Sequence, residues 1–183
     1  PLPLFKALSV RSIDWSKVNI TLADERWVEA SDTASNEKMV REVLLQDKAA
    51  AANFIPLKTA HENAENAVEQ LSSTFSKVGP PFDIVILGMG EDGHTASLFP
   101  CSAQIEEGLN VESSAIFIAT QPTTAPHQRM SLTLRALVSS EHVFLHLTGH
   151  KKREVLNDAL ANSTALEKPI KAVCDSTDVE LMW

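Results

Sequence analysis

Apolar residues fall into short continuous runs, separated by stretches with helical spacing. Val18–Leu22 (VNITL), Asp83–Leu87 (DIVIL), Ala115–Ala119 (AIFIA) and His142–Leu147 (HVFLHL) read as strands, and Ile170–Val173 (IKAV) as a weaker one. Several are unbroken rather than alternating, as expected of strands covered on both faces. Between them, Met39, Val40, Val43 and Leu44 share one face of a helix over Asn36–Leu45, with Ser35 or Asn36 as its cap. Ala60–Phe75 is rich in Ala and Glu, Lys151–Ala161 carries Val155, Leu156 and Leu160, and Met130–Leu137 predicts a shorter helix. Leu4 and Leu8 begin another, with proline in its first turn.

Alternating strands and helices predict an α/β fold, with a mostly parallel sheet between two layers of helices. A chain of 183 residues suits one such domain, and Gly79-Pro80-Pro81 reads as a turn rather than a boundary. Ligands of these sheets bind outside the C-terminal ends of the strands. ADERW (Ala23–Trp27), GMGEDGH (Gly88–His94) and TGHKK (Thr148–Lys152) each follow a strand, so the topology predicts that they share one rim.

Charge narrows the partners. With 16 basic against 24 acidic side chains the net charge is -8, which argues against a nucleic-acid-binding face. A bound anion would need a few Lys and Arg focused locally. The two cysteines, Cys101 and Cys174, have no metal or disulfide spacing and suit a reducing, cytoplasmic setting. No run reaches the length of a membrane span and no secretory signal is visible. The chain opens on PLPLFKAL, already in helical pattern and without Met, so a preceding segment is expected.

Gly88-Met89-Gly90-Glu91-Asp92-Gly93 spells G-x-G-x-x-G behind a strand. A dinucleotide site also needs a regular helix after the last glycine and an acid ending the next strand, about 20 residues on. Here Pro100 cuts any helix short, and Glu112 precedes the next strand instead of ending it. The alternative is a loop that presents His94, a side chain able to act as a general base, beside Asp92. The amides of Gly88, Gly90 and Gly93 are then candidate donors to an oxyanion. Arg26 offers a planar fork to a phosphate or carboxylate, with an acidic neighbour to hold it. Arg129 stands at the mouth of an element, and Lys151 and Lys152 lie in the first turn of a helix whose dipole they oppose. His142, His146 and His150 are each four apart, but the first pair lies in a predicted strand and no H-E-x-x-H helix exists, so no metal site is read; Trp15, Trp27 and Trp183 read as packing residues.

Taken together, ITLADERWV, SDTASNEKMVREVLL, DIVILGMGEDGHTASLFP, PHQRMSLTL and TGHKKREVL resemble the glucosamine-6-phosphate isomerase/6-phosphogluconolactonase family, on its lactonase side. The resemblance runs through nearly the whole chain, and its glycine–histidine segment is the most specific part. It implies the Rossmann-like fold of the glucosamine-6-phosphate isomerases. It implies cofactor-free hydrolysis of 6-phospho-D-glucono-1,5-lactone to 6-phosphogluconate, in the oxidative pentose phosphate pathway. His94 would be the base, Asp92 its support, and Arg26, Arg129 and Lys152 would surround the anionic substrate. The family's deaminases carry a glutamate where this chain has Phe99, and they tend to read D-E-Y where it has Asp24-Glu25-Arg26. Deamination of glucosamine 6-phosphate is therefore the second reading, and sugar-phosphate binding without turnover the third. The family's S-G-G-x-T-P phosphate loop has no counterpart in the chain, so its first strand, helix and loop are expected to be missing.

Overall fold

The computed structural model describes residues 1–183. In chain order it contains α1 (Leu2–Ser9), β1 (Asn19–Ile20), β2 (Asp24–Arg26), α2 (Asn36–Met39), β3 (Asn53–Phe54) and α3 (Val68–Phe75). Then follow β4 (Ile84–Leu87), α4 (Ile105–Gly108), β5 (Phe117–Thr120), β6 (Arg129–Leu132), α5 (Leu134–Val138), β7 (His142–His146), α6 (His150–Asn162), α7 (Pro169–Ser176) and β8 (Val179–Met182).

The class is mixed α/β, as the pattern predicts, but the strands form three ladders rather than one sheet. β4, β7 and β8 are parallel, in that order, and β1 pairs with β3 in parallel. β2, β6 and β5 form an antiparallel ladder. All four residues of β5 and of β6 are buried, which explains their lack of alternation. β4 departs from expectation: Val85 and Leu87 face the core, while Ile84 and Ile86 are 58% and 37% exposed. No helix is long and apolar enough to cross a membrane.

Several helical boundaries moved. Ile170–Val173 is not a strand: Pro169 opens α7, and Ile170 and Val173, three apart, bury the same helical face. Met130–Leu137 splits into β6 and α5 at Thr133, whose hydroxyl accepts the Ala136 N–H at 3.3 Å and caps the helix. Over Ala60–Phe75 only α3 is regular, behind a tight turn at Glu65–Ala67. Past α2 the predicted helix continues through a wide turn closed by the Leu45 N–H donating to the Val40 carbonyl. A cluster of 30 buried apolar residues joins both larger ladders, with Phe75 and Phe117 edge-to-face at 4.9 Å. Trp15 and Trp27 belong to the interior, but Trp183 is exposed, with the Arg153 guanidinium over its ring.

β2 is held to α2 by a carboxylate. Glu25 is fully buried; its Oε1 accepts the N–H of Arg26 and of Asn36, and its Oε2 accepts the Glu37 N–H and the Ser35 hydroxyl. Burial raises its pKa above 4.5, opposed by these hydrogen bonds. The folded protein therefore binds this proton more tightly than the unfolded chain does. The group's contribution to stability is full below the ordinary glutamate pKa and is lost as pH rises through the folded value. Urea unfolding of wild type and Glu25→Gln should show this: the stability difference in favour of wild type shrinks as pH rises from about 4.5 towards neutrality. A pH-independent difference would contradict the shift.

Candidate active site

The glycine segment leaves β4 at its C-terminal end and turns back on itself. The Gly90 N–H donates to the His94 carbonyl at 2.9 Å, and the Gly93 N–H donates to the Gly90 carbonyl at 3.1 Å. Gly93 sits at φ +81, and its carbonyl accepts the Ile170 N–H. A side chain on Gly90 would overlap the Nδ1 and Cε1 of His94 and the Asp92 carboxylate. Gly88 has open space where a Cβ would stand. This corrects the expectation that all three amides could serve an oxyanion. Those of Gly90 and Gly93 are committed to closing the loop, whereas the Gly88 amide donates to no protein group.

The loop presents His94 against Asp92. Asp92 Oδ1 lies 2.5 Å from His94 Nδ1 and also accepts the His94 backbone N–H at 3.1 Å. A carboxylate at Nδ1 fixes the proton there and leaves Nε2 as the basic nitrogen. Nε2 has no protein partner, and the side chain is 29% exposed. Beyond Gly93 no helix begins, unlike in a dinucleotide site. Residues Thr95–Leu98 form a tight turn, with the Leu98 N–H donating to the Thr95 carbonyl and Ala96 at φ +48. That turn brings Phe99 back onto His94, their rings stacked at 4.0 Å.

Ser97, at the middle of the turn, is fully buried and bonds to all three strands of the antiparallel ladder. Its hydroxyl donates to Asp24 Oδ2 at 2.6 Å, its N–H donates to the Ser131 hydroxyl, and its carbonyl accepts the Thr120 hydroxyl. The ladder carries the arginines. Asp24–Arg26, expected in a loop, is the strand β2, and its register with β6 sets Arg26 directly opposite Arg129. Like charges facing across a ladder destabilise it. Arg26 is held by the Asn36 side-chain oxygen, not by the acidic neighbour expected. Arg129 donates from Nη2 to the Pro126 carbonyl and from Nε to the His127 carbonyl, and its guanidinium lies 5.5 Å from the Phe99 ring centre. Burial and then Arg26 draw its pKa below the usual arginine value, opposed by Asp24 and Glu25.

The third segment arrives with α6. Lys152 Nζ donates to the Met89 carbonyl at 2.7 Å, and Lys151 pairs with Glu91 at 2.5 Å. Asp92, His94 and Lys152 thus meet at the glycine loop, Arg129 reaches it through Phe99, and Arg26 stands one step further out, opposite Arg129 across the ladder. Sequence reasoning missed Ser97 and the contacts of Phe99; both lie within GMGEDGHTASLFP, but Ser97's partners and the Arg129 that meets Phe99 are distant in sequence. No three His, Cys, Asp or Glu side chains are arranged to hold a metal ion. A surface depression of about 570 Å³ lies elsewhere, among Ala7, Val10, Arg11, Ser12 and Ile13, and gathers no comparable chemistry.

Comparison with known proteins agrees with this architecture. Residues 1–183 match the family model described as glucosamine-6-phosphate isomerases/6-phosphogluconolactonase. The chain is 41% identical to a 6-phosphogluconolactonase of Rhizobium meliloti, over 100% of the chain and 80% of that relative. It is 40% identical to one from Neisseria meningitidis serogroup A, over 98% of the chain and 78% of the relative. A crystal structure of a 6-phosphogluconolactonase from Shewanella baltica superposes with a TM-score of 0.96 at 48% identity, covering 100% of this chain and 78% of that one.

The glycine geometry predicts a graded series. Gly88→Ala should leave the unfolding midpoint and the His94 ring resonances unchanged. Gly93→Ala, with its positive φ, should lose about 1–2 kcal/mol in denaturant unfolding. Gly90→Ala should break the imidazole–carboxylate contact, read as a changed His94 ring-nitrogen spectrum. An unaltered spectrum in Gly90→Ala would contradict this packing.

Proposed function

The chain belongs to the glucosamine-6-phosphate isomerase/6-phosphogluconolactonase family, and from that membership and its site we propose that it hydrolyses 6-phospho-D-glucono-1,5-lactone to 6-phospho-D-gluconate. The observation that carries the reading is His94, with Nδ1 engaged by Asp92 and Nε2 unpartnered, on a loop tied to two facing arginines. The reaction needs one base, one oxyanion donor and a cationic seat for the phosphate, and each has a candidate here.

The 6-phosphate docks on Arg129 and Lys152, with Arg26 facing Arg129. An anion between the arginines relieves their mutual repulsion, and their forks suit phosphate oxygens. Nε2 of His94 takes a proton from water as the water oxygen attacks C1 of the lactone. The C1 carbonyl becomes an oxyanion, for which the free Gly88 amide is the donor in the loop. Asp92 supports the imidazolium that forms. As the intermediate collapses, the bond from C1 to the ring oxygen breaks. His94 returns its proton to that oxygen, and the new carboxylic acid ionises. A cytoplasmic setting is part of the proposal, in keeping with two free cysteines.

Deamination of glucosamine 6-phosphate requires proton transfer between C1 and C2. The position where the family's deaminases carry a glutamate is filled here by the Phe99 ring. In a direct assay, wild type should hydrolyse the phosphorylated lactone and leave glucosamine 6-phosphate untouched. His94→Ala should lower kcat by about 10²–10⁴-fold. Arg129→Ala should raise KM for the phosphorylated lactone by roughly ten- to hundredfold, the loss of one charge-assisted hydrogen bond, and barely change it for unphosphorylated gluconolactone. Equal kcat in wild type and His94→Ala would remove His94 as the base; turnover of glucosamine 6-phosphate would restore the second reading.

A further inference from the structure

We propose that Phe99 is a positioning residue for this reaction, fixing the plane of the His94 imidazole and coupling it to Arg129. The proposal rests on the function above and concerns what orients the base. One hydrogen bond fixes a point on an imidazole, not a plane: a ring held only at Nδ1 can still tilt about that contact. The contact is also wet, since the Asp92 side chain is 40% exposed. The plane is set by two other surfaces. Phe99 covers one face at 4.0 Å between ring centres and 24° between planes. Gly90 closes the Nδ1–Cε1 edge, where no side chain would fit. Nε2 is what remains open.

Phe99 can act this way because it is itself immobile. It is 4% exposed, and its carbonyl accepts the Ser102 N–H. Its chain is pinned two residues earlier by the three bonds of Ser97. Ala96 holds a left-handed conformation that costs an alanine energy, and this conformation reverses the chain so that Phe99 meets His94. The same ring carries the Arg129 guanidinium at 5.5 Å, inside the range of about 6 Å for attraction to an aromatic ring. One side chain therefore sets both the base and a cation of the phosphate seat. Displacing a base by about 1 Å can cost 10²-fold in rate, so a loose platform at this position is expensive.

The test compares wild type, Phe99→Leu and Phe99→Tyr on phosphorylated and unphosphorylated lactones, with unfolding midpoints measured alongside. Leucine keeps the apolar contact but has no flat face; tyrosine keeps the face. In folded Phe99→Leu, kcat should fall about ten- to hundredfold on both lactones, and KM should rise only for the phosphorylated one. Phe99→Tyr should restore both parameters. Wild-type kcat in Phe99→Leu, or equal losses in the two variants, would overturn the proposal. A second readout needs no variant at Phe99. In wild type the His94 Hδ2 and Hε1 resonances, assigned with His94→Gln, should be moved upfield by the Phe99 ring current; unshifted resonances would overturn the proposal even if Phe99→Leu fails to fold. Wild type inert towards both lactones would reject the function proposed above, and the ring-current measurement would still decide the placement of Phe99.

Discussion

Ser97 holds the two halves of the site in register. His94 belongs to a loop leaving the parallel ladder, and the arginines belong to the antiparallel one. The turn between His94 and Phe99 is the link, and its middle residue bonds to β2, β5 and β6 at once. Both backbone groups of Ser97 and its hydroxyl are satisfied without water in a fully buried place. Such a junction costs about 1–3 kcal/mol for each group left unpaired, so it tolerates little displacement. The separation of His94 from the two arginines is set here rather than by either sheet alone.

Electrostatics then decide what the junction presents. The protein is acidic overall, yet Arg26 and Arg129 face one another across a ladder and Lys152 reaches the glycine loop. Nearby carboxylates do not neutralise this cluster by direct pairing. Glu25 turns inward to cap α2, Asp24 accepts from Ser97, Glu91 takes Lys151, and Asp92 takes His94. Each of these four acids is engaged with another partner, and none is hydrogen-bonded to the Arg26 or Arg129 side chain. The two arginines are concentrated locally within an unfavourable global field, and Asp24 and Glu25 still act on Arg129 through space.

The glycines show how one string of letters can serve different physics. In a dinucleotide loop they let a helix N-terminus approach a pyrophosphate. Here no helix follows, and each glycine has its own reason. Gly90 makes room for the imidazole, Gly93 supplies a positive φ against Lys168, and Gly88 keeps an open approach with a free amide.

The sequence by itself determined the α/β class, four of the strands, the helices after Ser35 and Gly149, and the loop that bears His94. These rest on local causes: apolar runs, helix caps and glycines. Their near-complete match to one family added the chemistry. Only the tertiary structure decided that Asp24–Arg26 is a strand, that Arg26 opposes Arg129, and that Phe99 lies against both His94 and Arg129. A three-residue strand of charged side chains has no apolar period to read, because β6, over a hundred residues away, supplies its pairing. Ile170–Val173 misled for the converse reason: four residues are too few to separate a period of 2 from one of 3.6, and Pro169 with the packing of α5 and α6 settled it. Local propensity placed the chemical groups along the chain, and non-local pairing aimed them at one another.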